Sequence, residues 1–287
     1  MLRVLQTGVM AGHQGKNRHP DSLERVISSF GTVARRRDLT AAGFSSWQLS
    51  QAETHGRIVG VARGYFGLPK PDPLDVLLAK NHGCRSCLSR AKQLGLWVIR
   101  EPERLHIAVA HGRPVMGCVV HRIRGTQTLM DVLYQCVKCG SEVEALCALE
   151  SAIVLKKCTF AQLRHAFARR EDVAARAIIA LIDPQSQSIL ETVARYYIQK
   201  AGYNVQGQFY VKGVGHLDLL VDGILGVETD GQTYHNTPDG WSEDLRRDNL
   251  LVVNGLWCLR LPTEIVLQRP EIMLTWVRQA LEKIQGA

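Results

Sequence analysis

The sequence predicts an α/β chain of several domains: a small helical module closed by a hairpin, an α+β middle segment, and a mixed sheet flanked by helices at the rear. Three observations predict it. Residues 21–68 show three short helical runs and then an alternating stretch; residues 74–183 mix helical periods with short apolar runs. Residues 188–287 follow the order helix–strand–strand–strand–helix–strand–helix, which implies a mixed sheet covered by helices. The 287 residues suffice for two or three domains. The expected divisions are a lead-in at 1–20, then 21–71, 72–183 and 184–287.

The lead-in, MLRVLQTGVMAGHQGKNRHP, is basic and lacks the long apolar core of a signal peptide. No apolar run approaches the length of a membrane-spanning helix. The expectation is a cytoplasmic protein, without membrane partners, whose eight cysteines are reduced.

In the front module, DSLERVISSFG opens with a cap at Asp21 and places Leu23, Val26, Ile27 and Phe30 on one face. TVARRRDLTAAG reads as a second helix closed by Gly43. FSSWQLSQAETHG reads as a third, capped by Ser45 or Ser46 and stopped by Gly56. RIVGVARGYFGLP alternates like a two-stranded wing. A helix-turn-helix with a wing commonly reads DNA, its third helix lying in the major groove. That winged helix-turn-helix would set Trp47, Gln48, Ser50 and Gln51 near bases and Arg57 and Arg63 near phosphates. Arg35, Arg36 and Arg37 add to its positive face. Trp47 reads equally as a core residue, and many such modules contact only protein. Charge follows the same division: +6 over residues 1–71, +5 over 72–183 and −3 over 184–287. A basic front suits a polyanion and an acidic rear suits a cation.

LPKPDP, at 68–73, is a stiff linker. Beyond it, DVLLAKNHGCRSCLSRAKQLGL is helical at both ends and broken at Gly83, LHIAVA and GCVVHRI are strands, and TLMDVLYQCV, VEALCALESAIVL and TFAQLRHAFARR are amphipathic helices. Two CxxC pairs, Cys84/Cys87 and Cys136/Cys139, offer the raw material of a Cys₄ Zn²⁺ site. The alternative is that they are small core residues of helices. DPQSQS, at 183–188, reads as the last boundary.

The rear segment holds HLDLLVDGILGVETDGQTYH, an acid-rich hairpin. With a turn centred on Gly223, Asp218 faces Glu228 and His216 faces Asp230. Two carboxylates so opposed in a half-buried sheet need a proton or a cation between them, and oxygen donors suit Mg²⁺ or Mn²⁺. Asp222 is turn chemistry. Glu191 sits in SILE, where Ser188 caps a helix and Glu191 reaches back.

These residues carry a resemblance. Glu191, Asp218, Glu228-Thr229-Asp230-Gly231, His235 and DLRRDNLLVVNGLWCLRLP together resemble the Vsr-like branch of the PD-(D/E)XK nucleases. The whole chain is similar to proteins of actinobacterial type that join such a domain to a winged helix like that of AbiEi-type antitoxins. ERVISSFGTVARRRDLTAAGFS and RIVGVARGYFGLP carry that likeness in front, and CLSRAKQLGL, LHIAV, VVHRI and ALCALESAI in the middle.

The resemblance implies a bacterial or phage-encoded endonuclease that hydrolyses DNA phosphodiesters with Mg²⁺ or Mn²⁺ on Asp218 and Glu228. Glu191 would hold a water of the cation. His235 would act as general base or acid, or be only a loop histidine. Asp248 would orient His235 or pair with Arg247. Asp230 stands where the superfamily places a lysine. A homing, mismatch-nicking or defence role fits such an enzyme. A DNA-binding regulator with a decayed nuclease fold is the alternative.

Overall fold

The computed structural model describes residues 22–230 and 238–286. Two compact units divide at Gly83 and Cys84.

The first unit runs α1 (Leu23–Ser29), β1 (Val33–Arg35), α2 (Arg36–Ala41), α3 (Ser46–Thr54), β2 (Val59–Ala62), β3 (Tyr65–Gly67) and α4 (Pro73–Lys80). Ser22 caps α1, its Oγ accepting from Arg25 N at 3.2 Å, whereas Asp21 lies outside the described residues. The expected second helix is shorter than its sequence run. Val33–Arg35 instead pairs antiparallel with β3, and helix begins only at Arg36. Val33 is β-branched and fits a pleated surface, and the ladder satisfies backbone groups that an isolated turn would leave open. The sheet order is β1-β3-β2. Ser45, of the two candidates, caps α3, with Gln48 completing the box from its third position.

Leu23, Ile27, Leu39, Leu49, Ile58 and Phe66 form the core of this unit. The proline run does not end it. Asp72 caps α4 through Leu74 N at 2.7 Å. The Asp75 carboxylate accepts from Thr32 N and Oγ1 at 2.8 and 2.9 Å, fastening α4 beside β1.

The second unit opens with β4 (Cys84–Arg85), α5 (Cys87–Gln93), β5 (Leu105–Val109), β6 (Cys118–Arg122), α6 (Leu129–Cys139), α7 (Glu142–Val154), α8 (Phe160–Ala166) and α9 (Val173–Ala180). It continues with α10 (Ile189–Lys200), β7 (Val205–Val211), β8 (Gly215–Val221), β9 (Leu225–Asp230), α11 (Pro238–Val253), β10 (Trp257–Pro262), α12 (Thr263–Gln268) and α13 (Pro270–Gln285). One sheet has the order β4-β5-β6, with β5 and β6 parallel. The other has the order β10-β9-β8-β7, in which β7, β8 and β9 form an antiparallel meander and β10 lies parallel to β9.

The stretch read as a boundary at 183–188 joins rather than separates. Val143 and Cys147 of α7 pack into the core of the rear sheet, with Leu190, Val193, Leu219, Val227 and Leu261. Ala145, Leu146 and Leu149 of the same helix pack with α5, α6, α8 and α9. Helix α7 thus serves two cores, one on each side. Among the described residues, no helix is long and apolar enough to cross a membrane.

The acidic hairpin has the register its turn predicts: Leu219 pairs with Val227, Leu220 with Gly226 and Val221 with Leu225. Asp222 and Gly223 both take positive φ, at 48° and 75°, as a type I′ turn demands. The Asp222 carboxylate also accepts from Asn204 N at 2.8 Å. The β8–β9 ladder ends at Leu219 and Val227, short of the Asp218–Glu228 and His216–Asp230 positions. On its β7 side His216 pairs with Tyr210, and its Nδ1 lies 2.9 Å from Gln208 O.

Candidate functional site

Three carboxylates converge on the rear sheet. Glu191 stands in the first turn of α10, Asp218 in β8 and Glu228 in β9. Ser188 caps α10 as its sequence predicts, but Glu191 does not close the box. Its Oε2 accepts from Gln187 N at 2.9 Å and Gln208 Nε2 at 2.8 Å. Burial raises the pKa of Glu191, opposed by those two donors, and the Asp218 charge raises it further. Asp218 accepts from Thr229 N and Oγ1 at 2.8 Å each, both on Oδ2. A single residue, through its backbone N–H and its hydroxyl, thereby fixes the rotamer of Asp218.

Glu228 is half of an ion-pair cluster. Arg247 Nη2 lies 2.7 Å from its Oε1, and Arg260 Nε 3.6 Å from its Oε2. Proximity is not alignment here. Arg247 Nη2 donates to His216 O at 2.6 Å, and Glu228 Oε1 is buried without a hydrogen bond among the described residues. Burial raises the pKa of Glu228; Arg247 and Arg260 pull it down, and Asp218 pushes it up. Oxygen donors are what a hard divalent cation takes, but a guanidinium nitrogen already stands 2.7 Å from Oε1, so Mg²⁺ or Mn²⁺ would take Glu228 only in exchange for that contact. Among the described residues Asp248 pairs with Arg260, at 2.7 Å, rather than with Arg247, and β10 sets Arg260 directly beside Glu228 in the ladder. Asp230 ends β9 opposite Pro262. The Asp230 side chain and His235 lie outside the described residues.

A second cluster lies in the β4-β5-β6 region. Cys87 Sγ, His106 and His121 ring nitrogens, and Cys139 Sγ all lie within 4.8 Å of one another. It is the one group of three or more such ligand atoms this compact among the described residues. It corrects the Cys₄ expectation: each CxxC pair gives one thiol, and two strand histidines replace the others. Cys84 instead directs its thiol to Gln127 Oε1, at 3.9 Å. Cys136 is fully buried on α6, and the Cys87 thiol donates to Gln135 O at 3.3 Å. The neighbouring Cys136 thiol, with His106, His121 and the Leu88 N–H, holds Cys87 well below the ordinary thiol range. Cys87 and burial push Cys136 upward in turn. Burial pushes Cys139 up to about 11. A cluster of two thiols and two imidazoles has the donor chemistry of a Zn²⁺ site more than of a Mg²⁺ site.

Sequence reasoning missed His106, His121 and Arg260. The signal for the histidines was present: each is a polar residue inside an apolar strand, LHIAV and CVVHR. That is the same anomaly that singles out Asp218 and Glu228.

In the first unit, Trp47 is 71 % exposed on α3, so it is not core. Ser50, Gln51, Arg37 and Arg63 are also exposed, although Arg37 sits 3.4 Å from Asp38. Gln48 spends its side-chain oxygen on the α3 cap. Arg35 and Arg36 lie over the rings of Tyr65 and Phe66, at 5.6 and 5.0 Å. Arg57 binds Glu24 with two hydrogen bonds, at 2.7 and 3.0 Å, so its charge is already answered within the unit.

No family model and no curated protein matches the chain. A crystal structure of the RV2827C protein from Mycobacterium tuberculosis overlays on 55% of this chain and 74% of its own length, at 14% identity and a TM-score of 0.30.

Proposed function

We propose that the protein is a metal-dependent DNA endonuclease of the PD-(D/E)XK type, with a winged helix that holds DNA. One observation carries the reading: Glu191, Asp218 and Glu228, ten or more residues apart along the chain, are brought together so that Asp218 lies within electrostatic reach of each of the other two. The strand order supports it. Asp218 and Glu228 occupy the second and third strands of a meander, and the apolar return strand β10 follows the next helix, as the resemblance requires.

Asp218 and Glu228 would hold a Mg²⁺ or Mn²⁺ ion, which when bound supplies Lewis-acid activation of water and neutralises charge on the phosphate. The chain's own residues do the rest. Thr229 fixes Asp218 in one rotamer. Gln187 and Gln208 hold Glu191 through one oxygen, leaving the other to accept a proton from water. Arg247 and Arg260 bring guanidinium charge beside Glu228 and would stand in for the lysine that the superfamily places at position 230. Arg260 also borders a cleft of about 470 Å³ with Asp248, Trp257 and Cys258. On the winged helix, Trp47 and Gln51 face solvent on α3, and Arg63 faces it at the tip of the β2–β3 hairpin.

The decisive assay is cleavage of plasmid and oligonucleotide DNA with Mg²⁺ or Mn²⁺, comparing wild type with Asp218→Asn. Loss of a metal ligand costs orders of magnitude in rate while the near-isosteric side chain preserves the fold. Equal, metal-independent inertness of both proteins would overturn the nuclease reading. The pairing of Glu228 with Arg247 and Arg260 favours a second reading, a DNA-binding regulator in which guanidinium groups have taken the place of the metal. In that case DNA binding survives and Mg²⁺ leaves thermal stability unchanged.

A further inference from the structure

We propose that Cys87, His106, His121 and Cys139 form a tetrahedral Zn²⁺ centre that clamps α5, α6, β5 and β6 together. The strand register assembles half of it. Parallel pairing sets His106 opposite Val119 and His121 opposite Ala108. Both rings therefore lie on one face of the sheet, two residues apart along the strands. The helices bring the other half: Cys87 is the first residue of α5 and Cys139 the last of α6. Cys87 holds a left-handed backbone, φ 49°, which an L residue adopts at a cost of about 1–2 kcal/mol. Such strain persists where surrounding contacts demand a particular side-chain direction.

Two of the donor–donor distances match the edges of a coordination shell, and all four donor atoms lie within 4.8 Å of one another. Zn–N bonds of about 2.0–2.1 Å and Zn–S bonds of about 2.3 Å give tetrahedron edges of roughly 3.3 Å between nitrogens and 3.6 Å between nitrogen and sulfur. His106 Nδ1 lies 3.2 Å from His121 Nε2 and 3.4 Å from Cys139 Sγ. Hydrogen bonding alone does not account for this. One ring nitrogen has either one proton or one lone pair, so it serves one in-plane partner and not two. A cation equidistant from all four atoms satisfies each of them. Cys87, His106 and His121 are buried, and Cys139 stands at the rim, giving an entry path.

Four protein donors close the shell, which marks a structural rather than a catalytic centre. The centre fastens the ends of two helices to a sheet of only three short strands. Cys84 and Cys136 are left outside it. This centre is separate from the carboxylate site: it uses different residues and a softer metal.

The test is metal analysis of the full-length chain purified without chelators, with Co²⁺ substitution as a second readout. The centre predicts roughly one zinc per chain and a tetrahedral Co²⁺ spectrum with the thiolate charge-transfer intensity of two sulfurs. Cys139→Ser and His121→Asn lose the zinc and lower the melting temperature; Cys84→Ser retains both. Asp218→Asn retains the zinc while losing cleavage, which separates this proposal from the nuclease reading. Substoichiometric zinc in the wild type overturns the proposal. So does loss of zinc in Cys84→Ser, or a Co²⁺ spectrum of four thiolates, either of which restores the two CxxC pairs. If the ligand variants do not fold, the wild-type Co²⁺ spectrum decides.

Discussion

Replacing Arg195 with leucine tests how the helix carrying Glu191 is held. Arg195 is 3 % exposed and Glu150 fully buried. Arg195 Nη2 meets Glu150 Oε2 at 2.5 Å, and Nη1 donates to Leu181 O at 2.8 Å. Glu150 also accepts from Asp183 N at 2.7 Å and from Thr192 Oγ1. The network therefore ties α7, the segment leading into α10, and α10 itself. Removing one partner of a buried pair leaves the other charge without compensation, a loss of about 3–5 kcal/mol. At about 2–4 °C per kcal/mol for a unit of this size, the melting temperature falls by about 6–20 °C. Urea denaturation and thermal scans by circular dichroism, at fixed zinc, measure both quantities. The double variant Glu150→Leu/Arg195→Leu removes both charges and recovers most of the loss. A change below about 1 kcal/mol for Arg195→Leu, as exposed pairs give, would refute the network as the anchor of α10.

Other outcomes follow from the same geometry. Burial raises the pKa of Glu191, so the stability this group contributes is present below its unfolded pKa and lost as pH rises through the folded one. Glu191→Gln is therefore more stable than wild type at neutral pH, and the gain disappears below the ordinary glutamate range; denaturation from pH 3.5 to 8, covering the model-peptide value of about 4.3, checks it, and equal curves would contradict it. Thr229→Val keeps the shape but removes the hydroxyl donor to Asp218, so cleavage slows with folding intact and Thr229→Ser restores it. Arg63→Ala weakens DNA binding and reduces the salt slope by about one phosphate contact. Arg57→Ala does so much less, because Glu24 already neutralises it; equal effects in a fluorescence titration would sink that account. Trp47→Ala lowers DNA affinity while leaving stability within about 0.5 kcal/mol, since an exposed side chain supports no core.

Much of the rear site was legible because its signals are local. The Asp222-Gly223 pair sets the turn, the turn sets the register, and alternation sets which residues share a face. Ser188 and Ser45 could be read as caps for the same reason: a cap reaches only three residues. Errors fell where partners are distant. The expected front end of the second helix became β1 because β3, thirty residues on, offered it a ladder. The DPQSQS segment looked like a boundary, yet Glu150 reaches it from α7.

Sequence alone determined most element types, the hairpin and the presence of acids and cysteines too polar or too reactive to ignore. Tertiary structure decided which of them meet. It gave Glu228 two arginines, turned Asp248 toward Arg260, and took one thiol from each CxxC pair to join His106 and His121. Periodicity fixes only the direction a side chain points from its own element. Ligand sets and ion pairs depend on distances between elements, and the packing of helices and sheets sets those.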